Sequence, residues 1–328
     1  MWRVCLNIFL RNPEAFNKTP TCLGRFLKIS LSYGQGGYFL YKEEIMTLQE
    51  TLNYGVKKLN EKKIEDSLII TKELMQYVLK ADRQFIVAHL YEEILQKDET
   101  EFERYIDKII EGYPIQYITH KQNFMNEEYY VDENVLIPQP DTEILVEETI
   151  KKCKQGDKIL DLCTGSGAIA ISLKKALDRK NIPAKIFASD ISKEAINVAK
   201  KNAEKNYAPI ITIRSDLFDN ITENDFNIIA SNPPYIKTQV IKALSKQVKN
   251  EPYIALNGGE DGLDFYKKIA QEAYKFIKND GFLCLEIGYD QAKEVSEILE
   301  ENKFYKNIQI VKDLGQNDRC IICKIEKE

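Results

Sequence analysis

From residue 141 onward, short apolar runs alternate with amphipathic stretches, and this alternation constrains the fold more than any other feature of the 328-residue chain. Apolar runs at 158–162, 185–189, 210–214, 227–230, 281–286, 308–312 and 320–325 have the length of buried strands. Between them, 144–150, 168–177, 193–202, 263–277 and 291–302 carry helical spacing. Strands alternating with helices predict a mainly parallel, doubly wound α/β sheet with helices on both faces. Sheets of this kind hold ligands beyond the carboxyl ends of their strands. The residues just after each strand are therefore the first place to look for chemistry.

The chain ahead of residue 141 reads differently. Leu48, Leu52, Val56 and Leu59 recur at helical spacing, and so do Leu68, Thr71, Leu74, Met75 and Val78. Stretches 85–95 and 102–110 add two further amphipathic helices, so 46–112 is predicted to be a small helical bundle. Asp66 and Ser67 are expected to cap its second helix and Thr100 its last. Residues 113–140 form a connector, with expected strands at 124–131 and 135–137 around the turn Asp132-Glu133-Asn134. Pro138 and Pro140 end it, and Asp141 is the expected cap of the next helix. Residues 1–45 are an extension without a comparable pattern: a net basic arm with a loop-like Gly34-Gln35-Gly36-Gly37.

Composition excludes several classes. The net charge is -5, which disfavours a large nucleic-acid surface. Lys237, Lys242, Lys246 and Lys249 form a local basic cluster that reads as a solvated lid rather than a nucleic-acid stripe. With His89 and His120 as the only histidines, neither a His-rich zinc site nor a Ser-His-Asp triad is expected, and no metal is called for. The seven cysteines are scattered and odd in number, which suits a reducing cytoplasm rather than a disulfide framework. Cys320 and Cys323 match a CxxC spacing, but on a strand their thiols would face opposite ways. No apolar run is long enough to span a membrane.

Four strand ends carry the chemistry. The first is followed by Cys163-Thr164-Gly165-Ser166-Gly167, where two glycines let backbone approach a ligand closely. Gly165-x-Gly167-x-x-Ala170 also satisfies a dinucleotide fingerprint, and Asp190 falls about twenty residues beyond it. The loop alone therefore fits NAD and S-adenosylmethionine alike, although Asp161 ahead of the glycines favours the methyl donor. Asp190 ends the second strand and can accept from two ribose hydroxyls; otherwise it or Ser192 caps the next helix. Asp216 ends the third strand, with Leu217 or Phe218 available to pack on an adenine face.

The fourth strand ends in Asn232-Pro233-Pro234-Tyr235, the most informative tetrad in the chain. Two prolines fix φ and make the segment rigid. The Asn232 amide oxygen and the Pro233 carbonyl supply two acceptors, and Tyr235 an aromatic face. That set suits a planar group bearing an NH2, either an amide or an exocyclic amine. Two acceptors on its N–H bonds would orient the nitrogen lone pair and stabilise the positive charge that grows there on methylation.

With these residues together, the chain from Met46 to Lys324 resembles the release-factor glutamine methyltransferases, the HemK/PrmC family. The resemblance is carried by 114–118, by Val135-Leu136-Ile137-Pro138-Gln139-Pro140-Asp141-Thr142-Glu143, by the glycine loop and by the tetrad. It continues through 257–266, Leu285-Glu286-Ile287-Gly288-Tyr289-Asp290-Gln291, and Lys312-Asp313-Leu314 to Asp318-Arg319. It implies a class I, Rossmann-like methyltransferase domain at 141–328 and a helical substrate-recognition domain at 46–112, joined by a β-hairpin at 113–140. It also implies S-adenosylmethionine as donor, S-adenosylhomocysteine as product, and peptide-chain release factors as protein substrates. The methylated atom would be the side-chain nitrogen of the glutamine in their Gly-Gly-Gln motif. Carried onto this chain, Cys163, Thr164, Gly165, Ser166, Gly167, Asp190, Leu217 and Asn232 would line the donor site. Asn232, Pro233, Pro234 and Tyr235 would hold the substrate glutamine, in a cytoplasmic monomer. The chain departs from the family pattern at Gln139, where Arg is usual, at Cys163, where Gly is usual, and near His120, where Gly is frequent. A ribosomal-protein glutamine methyltransferase and an adenine-N6 methyltransferase remain as rival functions that the tetrad allows.

Overall fold

A computed structural model describes residues 28–34, 37–43 and 46–327. The described residues divide into two compact units, one drawn from those up to 60 and from 67–103, the other from 61–66 and 104–327.

In the first unit, β1 (Lys28–Gly34) and β2 (Gly37–Glu43) pair antiparallel, with Gly34 opposite Gly37. The other expectations for 1–45 lie outside the described residues. Helices α1 (Leu48–Glu61), α2 (Ser67–Leu79), α3 (Arg83–Ala88) and α4 (Gln96–Ile110) follow. Leu52, Leu59, Leu74, Met75 and Phe102 are buried. Gly55 lets the helices close, because a Cβ there would lie 2.8 Å from the Phe102 ring. Three expectations are corrected here. The helix expected at 85–95 ends at Ala88, capped at its start by Asp82, and Thr47 bridges Glu93 instead. Thr100 lies inside α4 rather than at its cap, and its hydroxyl donates back to the Gln96 carbonyl. Ser67 spends its hydroxyl on Asn60, and Asp66 has a left-handed φ of 53°.

The second unit begins with α5 (Ile115–Thr119) and a small hairpin of β3 (Gln122–Phe124) and β4 (Glu127–Tyr129). The hairpin turns at Met125-Asn126, both left-handed, and not at Asp132–Asn134 as expected. Residues 135–137 are not a strand. Their backbone is instead held by side chains: the Tyr117 hydroxyl donates to Val135 O (2.6 Å), and Ile137 N donates to the Glu251 carboxylate (3.0 Å).

The large sheet comprises β5 (Lys158–Leu162), β6 (Lys185–Asp190), β7 (Ile211–Arg214), β8 (Phe226–Ser231), β9 (Ile277–Glu286), β10 (Tyr305–Lys312) and β11 (Asp318–Ile325). Their order is β10-β11-β9-β8-β5-β6-β7. The pairs from β9 to β7 are parallel, and β11 joins β9 and β10 antiparallel. Helices α6 (Thr142–Lys152), α7 (Ala168–Arg179), α8 (Lys193–Lys205), α12 (Asp264–Phe276) and α13 (Ala292–Glu300) cover the sheet. Short helices α9 (Thr238–Ile241), α10 (Lys246–Lys249) and α11 (Tyr253–Leu256) lie between β8 and α12.

Both faces of the sheet's central strands are buried, which is why they read as apolar runs, while the edge strands β7 and β10 are largely exposed. Leu160, Leu283 and Ile321 pack with α12 and α13, whereas Ile159, Cys284 and Ile322 pack with α6 and α7. Cys320 and Cys323 fall in these two opposite cores, both as free thiols. The chain winds from β5 outward through β6 to β7, then returns to place β8 on the other side of β5. That reversal opens a crevice at the carboxyl ends of β5 and β8.

Candidate active site

The loop leaving β5 turns on three left-handed residues: Cys163 (φ 62°), Gly165 (φ 53°) and Gly167 (φ 82°). A side chain in that region costs on the order of 1 kcal/mol, so glycine is the natural occupant and Cys163 sits there under strain. A Cβ on Gly165 would point into open space, leaving bare backbone toward the crevice, whereas one on Gly167 would meet Ala199 of α8 at 3.1 Å. Beneath the loop, the fully buried Asp161 accepts from the Thr164 hydroxyl (2.5 Å) and from Ala170 N (3.1 Å) through the same oxygen. Its other oxygen has no partner, and burial pushes its pKa up to about 7.

Asp190 ends β6 and ties two loops together. One oxygen accepts from Gly165 N and the other from Ser192 N, each at 2.9 Å. Burial raises its pKa, and these backbone bonds pull the other way. Each carboxylate oxygen keeps a further acceptor site. The helix cap is Ser192, which accepts from Ala195 N, so Asp190 is not consumed by capping.

These loops enclose a cleft of about 190 Å³. Of the sequence-predicted residues, it brings together Cys163, Gly165, Asp190, Leu217, Asn232 and Pro234. Thr164, Ser166, Gly167, Pro233 and Tyr235 do not line it. Thr164 and Ser166 are buried in the loop's own structure, where Ser166 O accepts from Asn202. Leu217 reaches the cleft, while Phe218 turns into the core and stacks on Phe276 with centroids 4.7 Å apart. Residues the sequence reading missed complete the wall: Val135 and Leu136 from the connector, Ile254 and Ala255 from α11, and Phe265 and Lys268 from α12. They lie far from β5 in sequence, so local pattern carried no signal for them.

The tetrad leaves β8 at the floor of this crevice. The half-buried Asn232 donates from Nδ2 to the Thr142 hydroxyl (3.2 Å), and Pro233 and Pro234 are buried. The Tyr235 hydroxyl donates to Glu286 Oε1 (3.4 Å), and the Tyr235 carbonyl accepts from Gln291 Nε2 (3.1 Å). Burial raises the Tyr235 pKa above the phenol range. Burial also pushes the Glu286 pKa up to about 7, against the Thr142 hydroxyl and the Arg319 guanidinium, and Glu286 Oε2 is buried without a hydrogen-bond partner of good geometry. Arg319 Nη2 stands 3.0 Å from both Asp141 and Asp313. Asp141 is therefore engaged in an ion pair and makes no side-chain cap on α6, which corrects the expectation. Gln139 donates to the Ile137 carbonyl (2.9 Å). Among the described residues, no group of three or more His, Cys, Asp or Glu could hold a metal ion.

Residues 139–260 match the Methyltransferase small domain family, and residues 50–119 match the PrmC N-terminal domain family. A release factor glutamine methyltransferase of Clostridium acetobutylicum is 41% identical over 266 residues, 79% of this chain and 90% of the relative. Another, from Thermodesulfovibrio yellowstonii, is 40% identical over 266 residues, 78% of this chain and 92% of the relative. This chain belongs to the release factor glutamine methyltransferase family. It is an enzyme of the methyltransferase class, with a class I methyltransferase sheet and an N-terminal helical domain of the PrmC type. A solved methyltransferase from Pyrococcus furiosus is similar at 19% identity and TM-score 0.45, over 61% of this chain and 89% of that one. In this release factor glutamine methyltransferase, the departures at Cys163 and Gln139 have clear local settings. Cys163 occupies a left-handed position, and Gln139 bonds its own neighbouring turn. No helix among the described residues is long and apolar enough to cross a membrane.

Proposed function

We propose that this enzyme transfers a methyl group from S-adenosylmethionine to the side-chain amide nitrogen, N5, of the glutamine in the Gly-Gly-Gln motif of peptide-chain release factors. The observation that carries the reading is the placement of Asn232: it lines the cleft with Nδ2 already spent on Thr142, so its acceptor oxygen is the free end. Residues 46–112 would recognise the protein substrate, 113–140 would connect, and 141–328 would perform the transfer. The extension at 1–45 would be dispensable for it, and the enzyme would act as a monomer.

The cleft fits the donor on its own chemistry. Asp190 keeps acceptor capacity for ribose hydroxyls after its two backbone bonds, Gly165 offers bare backbone, and Leu217 and Phe265 offer apolar faces. Cys163, Thr164, Ser166 and Gly167 shape that loop. When bound, the donor supplies an electrophilic methyl on a sulfonium leaving group. The chain supplies position and charge stabilisation. An amide nitrogen is a poor nucleophile because its lone pair is delocalised. Asn232 Oδ1 and the Pro233 carbonyl would accept from its two N–H bonds and turn the lone pair toward the methyl. The same acceptors stabilise the positive charge that develops on nitrogen before a proton leaves. Pro234 and Tyr235 keep this segment stiff.

Intact-peptide mass spectrometry tests the reading. The enzyme is incubated with S-adenosylmethionine and a purified release factor, and with the same factor carrying Gln→Ala in its Gly-Gly-Gln motif. One added methyl on the glutamine, absent from the variant, is expected. No transfer while donor binding persists would move the substrate to a ribosomal protein or a nucleic acid.

A further inference from the structure

Asn232 is useful only one way round. A carboxamide presents an acceptor at Oδ1 and a donor at Nδ2, and the two ends are nearly identical in shape. Turned over, it would oppose an N–H donor to the substrate's own N–H and destroy the acceptor geometry. Sterics do not decide between the orientations; hydrogen bonding must.

The structure shows what decides. Nδ2 donates to the hydroxyl of Thr142, a buried residue in the first turn of α6. A hydroxyl could equally donate to an amide oxygen, so Thr142 discriminates only if its own proton is committed elsewhere. Glu286, at the end of β9, offers an acceptor for that proton. Its carboxylate is buried, and its Oε2 has no hydrogen-bond partner and so stands open to a donor. Its other oxygen accepts from Tyr235, the last residue of the tetrad. Arg319 holds Asp141, the residue before Thr142, at 3.0 Å and so anchors the start of α6.

We propose that Thr142 and Glu286 are positioning residues for catalysis. Glu286 directs the Thr142 proton toward itself, Thr142 then presents only a lone pair to Asn232, and Asn232 is left with its oxygen facing the cleft. Neither Thr142 nor Glu286 lines the cleft, so neither acts on the donor directly. The inference rests on the acceptor role given to Asn232 above.

The test compares Thr142→Val, Thr142→Ser and Asn232→Ala by steady-state kinetics on a release factor and by calorimetry with S-adenosylhomocysteine. Valine has the shape of threonine without the acceptor. Losing one orienting hydrogen bond should lower kcat of Thr142→Val about tenfold, with KM and donor affinity within about twofold of wild type. Thr142→Ser restores the hydroxyl and should recover most of the turnover. Wild-type kcat in Thr142→Val overturns the inference. So does Thr142→Ser as slow as Thr142→Val, and so does a donor affinity that falls in step with kcat, which would assign Thr142 to folding. A slow Asn232→Ala beside a fast Thr142→Val sinks the positioning role alone. Full turnover in Asn232→Ala removes the acceptor reading itself.

Discussion

Asp190 shows how one side chain can join loop architecture to binding. Its two oxygens already fix Gly165 N and Ser192 N, so the carboxylate is oriented before any ligand arrives. Asp190→Ala releases both loops and, on the proposed function, removes the ribose acceptors. The affinity for S-adenosylhomocysteine should fall at least about tenfold, about 1.4 kcal/mol, and calorimetry reads it directly. Unchanged affinity would remove Asp190 from the binding site. Asn232 should behave in the opposite way if its oxygen accepts from the substrate nitrogen, as proposed above. Asn232→Ala should cut turnover about 100-fold, the scale of losing one preorganised group at a developing charge, and leave donor affinity largely intact. Single-turnover methylation with saturating donor distinguishes this from weakened binding. The place of Asn232 and Asp190 at the cleft was legible, because each residue directly ends or follows a recognisable strand. Backbone conformation was not legible where a left-handed position tolerates a side chain: Cys163 (φ 62°) and His120 (φ 56°) both sit at such positions, and neither residue type announces it.

At the scale of elements, the tetrad is held from behind by the segment following α11. Ile236 bridges Asn257, Ile236 N donates to Leu256 O, and Gly258 N donates to Ile236 O, both at 2.9 Å. Gly258 presses so closely that a Cβ would stand 2.7 Å from Tyr235 Cα and 2.8 Å from the Pro234 carbonyl. Those are backbone atoms of a proline-stiffened segment and cannot step aside cheaply. Gly258→Ala should therefore displace the tetrad and lower kcat more than donor affinity, a split that steady-state kinetics with a parallel calorimetric titration would show; equal losses in both would place the strain elsewhere. The buried strands of the parallel core, β5, β6, β8 and β9, were legible in sequence because burial on both faces leaves largely apolar runs. The β3–β4 hairpin was misplaced because Met125-Asn126 lacks the usual glycine, although both residues adopt the left-handed turn. Asp141 read as a cap because its local setting is that of one, whereas its partner Arg319 comes from the far end of the chain. The cleft wall from Val135 to Lys268 was hidden for the same reason: only the strand order brings those segments to one crevice.

At the scale of the whole molecule, three of the buried carboxyl groups of the methyltransferase unit, Asp161, Glu251 and Glu286, are each pushed up to about 7 chiefly by burial. A carboxyl whose pKa is higher folded than unfolded binds its proton more tightly in the native state. Its contribution to stability is fully present below the unfolded pKa and is lost as the pH rises through the folded value. Between about pH 4.5 and 7, these groups thus make the fold less stable as pH increases, opposite to a carboxylate held in an ion pair. Glu251 isolates the effect best. It lines no part of the cleft, and its bond from Ile137 N needs only an acceptor, which a glutamine carbonyl also supplies. Glu251→Gln removes the cost of a buried charge and keeps that bond. At pH 8 it should stabilise the protein by on the order of 2 kcal/mol, a melting shift of a few degrees, and at pH 4.5 the gain should vanish. Melting curves of both proteins across that range test it. A stabilisation independent of pH would mean that the variant acts through packing, and a destabilisation at pH 8 would mean that the ionised Glu251 is held by more than the Ile137 amide.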